Sequence, residues 1–97
     1  MKEHIKNRLF ERDMLIEYVS KAKALEVMQT QIADLENLIE AFDKDIEELD
    51  EAGLDRTVEI LCRTRNSLNL ERLEIEIHIC KIRLWLAEFE KARQLAR

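Results

Sequence analysis

Carboxylates at helical spacing are the residues of this sequence most able to do chemistry. Five of them recur every three or four residues in the middle of the chain: Glu36, Glu40, Asp43, Glu47 and Asp50. A metal site in a helical bundle needs carboxylates that point into its core, often from Glu-x-x-His pairs, and no such pair occurs here. Asp43 and Asp45 also resemble the start of a calcium-binding loop, but Glu48 stands where that loop requires glycine. We therefore expect a solvated acidic face, with no metal and no other cofactor.

Arg72 and His78 are a second candidate pair, because an arginine can bind phosphate while a histidine transfers a proton. Their Arg-x₅-His spacing resembles a loose pattern of the all-helical HEPN ribonucleases, over seven residues of the chain. The resemblance implies a ribonuclease that uses both side chains, and we keep it as an alternative. The other interpretation places Arg72 in an apolar seam, where a polar residue fixes the register of helix packing. We follow this second interpretation and expect a protein that is not an enzyme, with no catalytic residues.

The two cysteines, Cys62 and Cys80, do not have the spacing of a metal site. On one continuous helix they would lie about 27 Å apart, which is too far for a disulfide bond. We expect both to be buried free thiols, with a disulfide between two subunits as the alternative.

A heptad repeat runs through the first half of the chain. Its apolar residues alternate at spacings of four and three: Met28, Ile32, Leu35, Ile39, Phe42, Ile46 and Leu49. This spacing predicts one seam of a coiled coil. An upstream stripe of Ile5, Leu9, Ile16 and Val19 has a different phase, and a stutter in one long helix would join the two. A break near Ser20, a plausible N-cap residue, is the alternative.

Gly53 is the only glycine in the chain, and there is no proline. Glycine adopts the left-handed backbone of a helix C-terminus at little cost, so we expect the chain to turn there. Asp55 is then expected to cap the following helix. The result is a single helical-hairpin domain over residues 1–97, with arms of about 2–51 and 55–96.

Residues 68–86, LNLERLEIEIHICKIRLWL, place an apolar residue at nearly every second position, as a half-buried strand does. Read as a helix, the second half of the chain has two apolar seams about 160° apart. The first seam contains Leu54, Val58, Leu61, Arg65, Leu68, Arg72, Ile75, Ile79, Ile82, Leu86 and Phe89, and the second contains Leu70, Leu73, Ile77, Cys80, Leu84 and Ala87. Strong helix formers surround the stretch, so we expect a helix, with a strand as the alternative.

A helix that is apolar on two sides cannot be covered by a single partner helix. We therefore expect an all-α antiparallel hairpin that completes a four-helix bundle by self-association. Leu70, Leu73, Ile77, Cys80 and Leu84 are then the expected oligomer interface. The alternative is an obligate subunit of a hetero-oligomeric helical complex.

Charge is unevenly distributed along the chain, whose net charge is −5. Residues 24–52 contain ten acidic residues and one basic residue, Lys44. Acidic residues crowd the turn end of the hairpin (Asp43, Glu47, Glu48, Asp50 and Glu51), and basic ones collect at the open end (Lys2, Lys6, Arg8, Arg12, Arg83, Lys91, Arg93 and Arg97). The acidic middle makes direct binding of nucleic acid unfavourable. The same charge pattern could orient an antiparallel dimer or dock a basic surface of another protein.

These features predict a protein–protein interaction module of the adaptor, chaperone or inhibitor type. We expect it to form a homodimer and to bind another protein through its acidic tip. Trp85 lies on a mostly charged stripe and is either a rim residue over the neighbouring helix or a partner-binding residue. No apolar run is long enough to span a bilayer and the N-terminus lacks the apolar core of a signal peptide, so we expect a cytoplasmic location without membrane contact.

Overall fold

Two long antiparallel helices make up the molecule. The structure, a computed structural model, describes the backbone of residues 2–95 and the side chains of His4, Arg8 and residues 10–95. Helix α1 spans Lys2–Glu51 and helix α2 spans Asp55–Leu95, and together they form a rod of 77 × 20 × 15 Å. The predicted all-α hairpin is confirmed. Residues 68–86 lie inside α2, so the strand alternative is wrong.

Helix α1 is continuous through Ser20, so the alternative of a break at this residue is also wrong. Serine in a helix interior lowers helix propensity only slightly, and no glycine or proline stands nearby to interrupt the backbone. An isolated helix of this length would still depend on packing for its stability. The partner for that packing is α2.

The turn between the helices is a Schellman motif centred on Gly53. Gly53 has φ of 77°, the left-handed conformation that glycine adopts most easily. Its N–H donates to the carbonyl of Asp50 at 3.0 Å, and the N–H of Leu54 donates to the carbonyl of Leu49 at 3.0 Å. These two bonds satisfy carbonyls that the end of α1 leaves without partners. The predicted turn at Gly53 is confirmed.

The expectation that Asp55 caps α2 is wrong by one residue. The carbonyl of Leu54 accepts the first helical hydrogen bond, from the N–H of Val58 at 3.0 Å, so Leu54 occupies the N-cap position. Asp55 is the first residue of the helix and lies in its first turn. A negative charge there still interacts favourably with the helix dipole.

The core of the hairpin is a single apolar seam between the helices. Ile39 and Ile79, each well inside its helix, are 8% and 7% exposed and are the only residues classed as buried in the described part of the chain. The other members of the two predicted core seams are half-buried, except Leu54, which is 50% exposed. Two helices can cover each other on one side only, so most seam residues remain in partial contact with solvent.

The upstream stripe of α1 does not join this core. The Met28 seam continues towards the N-terminus at the same spacings of three and four through half-buried Leu25, Lys21, Tyr18 and Met14, without a stutter. Ile16 and Val19 instead point outward and are 59% and 55% exposed. Sequence reasoning missed this continuation because Lys21 and Tyr18 are not apolar residues. The side chains of Ile5 and Leu9, which belong to the same stripe, lie outside the described residues.

Candidate functional site

The second apolar seam of α2 is the largest unpaired apolar feature that the sequence predicted. We call it the outward seam: Leu70, Leu73, Ile77, Cys80, Leu84 and Ala87. Every one of these residues is exposed, with Leu70 at 63%, Leu73 at 47%, Ile77 at 54% and Leu84 at 65%. The core seam faces α1 from the opposite side of α2, so the hairpin cannot cover the outward seam by itself.

The acidic tip lies at the end of α1, beside the turn. Asp43, Glu47, Glu48, Asp50 and Glu51 are all exposed, and the last turn of α1 contains no basic residue. Carboxylates at a helix C-terminus face the negative end of the helix dipole and destabilise the helix. The structure therefore places a concentrated negative charge where a stable isolated helix would carry lysine or arginine.

Asp43 differs from the other acidic residues of the tip. Its Oδ1 accepts a hydrogen bond from Nη1 of Arg65 at 3.1 Å, which joins the two helices. Arg65 occupies a position in the core seam of α2, and its side chain is 30% exposed. Within the described part of the chain, the other four carboxylates of the tip make no ion pair. They are consequently free to meet a partner, whereas Asp43 has a role in the hairpin itself.

Trp85 belongs to an aromatic cluster near the open end of the rod. Its ring stacks on Phe89 with a centroid distance of 5.4 Å and an interplanar angle of 14°. Phe89 in turn lies 5.0 Å from Tyr18 of α1, and Nζ of Lys21 lies 5.0 Å from the centroid of Trp85. These contacts place half-buried Trp85 over the neighbouring helix, as a rim residue would lie, and an ammonium over an indole is an attractive cation–π pair.

The same cluster borders an apolar groove that sequence reasoning missed. The groove has a volume of about 590 Å³. Trp85 and Phe89 of α2 lie on one side of it, and Phe10, Met14 and Leu15 of α1 lie on the other. Its remaining lining residues are Glu11, Glu88, Ala92 and Arg93. Phe10 is 66% exposed. The continuation of the heptad through Met14 and Tyr18 was the signal that could have located it. Trp85 is thus accessible from one side of the rod.

The structure describes the side chains of five of the eight basic residues at the open end. Arg8, Arg12, Arg83, Lys91 and Arg93 are exposed. The side chains of Lys2 and Lys6, and the whole of Arg97, lie outside the described residues.

Arg72 and His78 point in different directions. Residues six apart on a helix are separated by about 120° around its axis. The Nε atom of Arg72 is buried and has no hydrogen-bond partner in the described part of the chain. Glu76 Oε1 lies 3.8 Å away, close enough for an ion pair but too far for a hydrogen bond. His78 is exposed and lines a shallow groove with Asp34, Leu38 and other residues, and Arg72 does not belong to that lining. The structure does not bring the two side chains into one groove.

The cysteines and carboxylates form no metal-binding group in the described residues. Cys62 and Cys80 are both free, but Cys62 is half-buried and Cys80 is exposed, so the expectation of two buried thiols is wrong. Cys80 is exposed because it lies in the outward seam, which has no partner within the hairpin. Within residues 2–95, neither helix has a segment with the length and apolar character needed to span a bilayer.

Comparison with family models, with curated proteins and with solved structures found no match to this chain. Function is therefore inferred from the residues and their geometry alone.

Proposed function

We propose that this chain is a non-enzymatic protein–protein interaction module that associates with itself through the outward seam and binds a second protein through its acidic tip. Small adaptors, chaperones and inhibitors act in this way. The observation that carries the proposal is the exposure of the outward seam, a continuous apolar stripe along a helix whose opposite side is already packed.

The accessible surface of the chain supports this proposal. It measures 8057 Å² for a mass of 11.6 kDa. A compact monomer of that mass exposes about 5,800 Å², so the hairpin exposes roughly 2,200 Å² more. A rod that is only two helices thick has little interior, and hairpins of this kind need further partners for stability. Self-association into four helices would supply them.

The acidic tip supports the second part of the proposal. Glu47, Glu48, Asp50 and Glu51 lie on the last turns of α1, exposed and without ion pairs among the described residues. Each opposes the helix dipole at a cost of about 0.3–1 kcal/mol where screening is weak. A basic surface on a partner would remove this cost on binding. Such a partner could use that surface for nucleic acid in the absence of this chain.

Charge reversal at the tip tests this docking. Changing Glu47, Glu48 and Glu51 to lysine should leave the oligomer intact but abolish capture of partners from the native host. Binding by the unmodified chain should weaken as salt concentration rises, because opposite charges that are exposed to solvent are screened.

A matched control changes the same amount of charge elsewhere on α1. Glu26, Glu36 and Glu40 are also exposed, and their reversal to lysine should leave capture unchanged. Recovery of the same partners by both triple variants would contradict docking at the tip. A tip variant that dissociates into single chains in light scattering would assign the acidic residues to assembly instead.

A further inference from the structure

We propose that two copies of this chain pair antiparallel along the outward seam of α2, in the register that places Ile77 opposite Cys80 of the second copy. This inference rests on the proposed function, since it names the occupant of the outward seam and its orientation. The seam itself, the charged residues at its two ends and the charged residues along its flanks each support it.

The spacing of the outward seam is the same in both directions. Its six residues follow one another at intervals of 3, 4, 3, 4 and 3. When a second copy runs in the opposite direction, Leu73 lies opposite Leu84, Ile77 opposite Cys80 and Leu70 opposite Ala87. Antiparallel helices in this register therefore bury each apolar residue of the seam against another, as the facing layers of a coiled coil require.

The charged residues at the ends of the seam favour the antiparallel orientation over the parallel one. Arg63 and Lys91 lie on the same face of α2 as the outward seam, beyond its two ends, and both are exposed. In a parallel pair, Arg63 would lie opposite Arg63 of the second copy and Lys91 opposite Lys91, so like charges would lie side by side. In the antiparallel pair, Arg63 lies opposite Gln94 and Lys91 lies opposite Asn66, which are uncharged partners.

The flanks of the seam favour this register over the neighbouring antiparallel one. In the proposed register, Glu74 lies beside Lys81 of the second copy and Glu76 lies beside Arg83, and symmetry repeats both pairs. Flanking charges of this kind select the partner and orientation in coiled coils. In the register that instead places Leu73 opposite Ile77, Glu74 and Glu76 would each lie beside their own copy, so like charges would repel.

The elongated hairpin exposes excess surface over both of its helices, and a second copy can cover part of it. A standard protein interface takes about 800 Å² from each partner. The hairpin exposes roughly 2,200 Å² more than a compact chain of its mass, nearly three times that amount. Pairing through α2 leaves α1, with the acidic tip and the groove beside Trp85, on the outside of the assembly.

Distances between spin labels test the orientation and the register in the full chain. The background carries Cys62→Ala and Cys80→Val, and one cysteine is introduced at either of two exposed positions, Thr64 or His78. In the proposed register, position 78 lies next to position 79 of the second copy, an axial offset of about 1.5 Å. Position 64 lies opposite position 93, so the two labels at Thr64→Cys are about 44 Å apart along the axis.

Each result of this measurement decides the proposal. A short distance at position 78 together with a distance of about 44 Å at position 64 supports it. Short distances at both positions indicate a parallel pair, and a separation near 33 Å at position 64 indicates the neighbouring register. Either of these overturns the inference but leaves self-association standing. No distance at either position, with helicity intact by circular dichroism, excludes the second copy as the occupant, and partner capture through the tip then decides the proposed function separately.

Discussion

Replacing Ile77 with aspartate separates the outward seam from the core of the hairpin. Ile77 is 54% exposed in the single chain and points away from α1. A carboxylate at this position remains in water as long as α2 is unpaired, so the hairpin should keep its helicity. Pairing would bury the same carboxylate between apolar side chains in the middle of the outward seam, and taking it out of water costs free energy. We therefore expect Ile77→Asp to prevent assembly while leaving the hairpin folded.

The exposure of Ile77 sets a lower limit on the free energy of association that the substitution removes. Complete burial of an isoleucine side chain contributes about 1.5–3 kcal/mol, and the 54% that remains exposed accounts for about 0.8–1.6 kcal/mol of this in each copy. A symmetric pair loses the contribution twice, about 1.6–3.2 kcal/mol in all. At 1.4 kcal/mol for each factor of ten, the dissociation constant should rise by roughly 10- to 200-fold. Desolvation of the carboxylate raises it further.

Sedimentation velocity over a range of protein concentrations measures this change, and circular dichroism reports whether the helices survive. Val27→Asp is the matched control. Val27 is also β-branched and 58% exposed, but it lies on α1 outside the outward seam. An oligomer that persists in Ile77→Asp, or that dissociates equally in both variants, would refute the assignment of the outward seam as an interface.

Two further predictions concern the hairpin itself, and both are measured as free energies of unfolding in urea. Gly53→Val should lose about 1–2 kcal/mol, because a β-branched residue is strained at positive φ, whereas Ala52→Val should lose only a few tenths. Since a Cβ at Gly53 would meet nothing within 4 Å, backbone strain is the sole expected cause, and equal losses in the two variants would contradict it. Arg72→Leu should gain about 1–2 kcal/mol, because it removes a buried Nε that lacks a hydrogen-bond partner. Arg12→Leu, which replaces an exposed arginine of α1 outside the outward seam, should change stability by less than about 0.5 kcal/mol. A loss of stability in Arg72→Leu would show that its guanidinium stabilises the helix pair.

The fold was predictable because local and long-range signals agree. Gly53 is the only glycine in the chain, and the Schellman hydrogen bonds form around it. The heptad from Met28 to Leu49 predicted the face of α1 that packs on α2. Where two helical seams interleave, as in residues 68–86, the alternation resembles a strand, and only the spacing across Cys80 and the neighbouring helix formers favour a helix.

Some residues of this chain occupy positions that their chemical type does not suggest. Lys21 and Tyr18 occupy core-seam positions of α1, but a search for apolar residues passes over them and finds Ile16 and Val19 instead. A lysine is accommodated at a partly buried position because its aliphatic stem packs while its ammonium reaches the ring of Trp85. The cap of α2 could not be predicted for a related reason. The Schellman hydrogen bond from the N–H of Leu54 to the carbonyl of Leu49 fixes Leu54 at the point where α2 begins, and this leaves Asp55 inside the helix.

The sequence predicted where two of the candidate surfaces lie, but it did not predict which of their side chains are paired within the hairpin. The sequence located the outward seam and the acidic tip, yet it could not show that Asp43 pairs with Arg65 while the other carboxylates of the tip make no ion pair with the residues that the structure describes. That difference depends on the register between the two helices. The groove at the open end was missed altogether, since its walls come from residues far apart in the chain, such as Phe10 and Trp85.

Two features of this hairpin reduce its stability as an isolated chain, and binding of a partner would relieve both. The outward seam leaves Leu70 and Leu84 more than 60% exposed on a helix that is already packed on its other side. The tip sets four carboxylates, which make no ion pair among the described residues, against the negative end of the dipole of α1. Neither feature contributes to the contacts between α1 and α2, so the packing of the hairpin does not account for them. The seam is apolar and the tip is charged, so one kind of partner surface cannot satisfy both. The two contacts that we propose, an apolar one with a second copy along α2 and a charged one with another protein at the tip, would account for both features together.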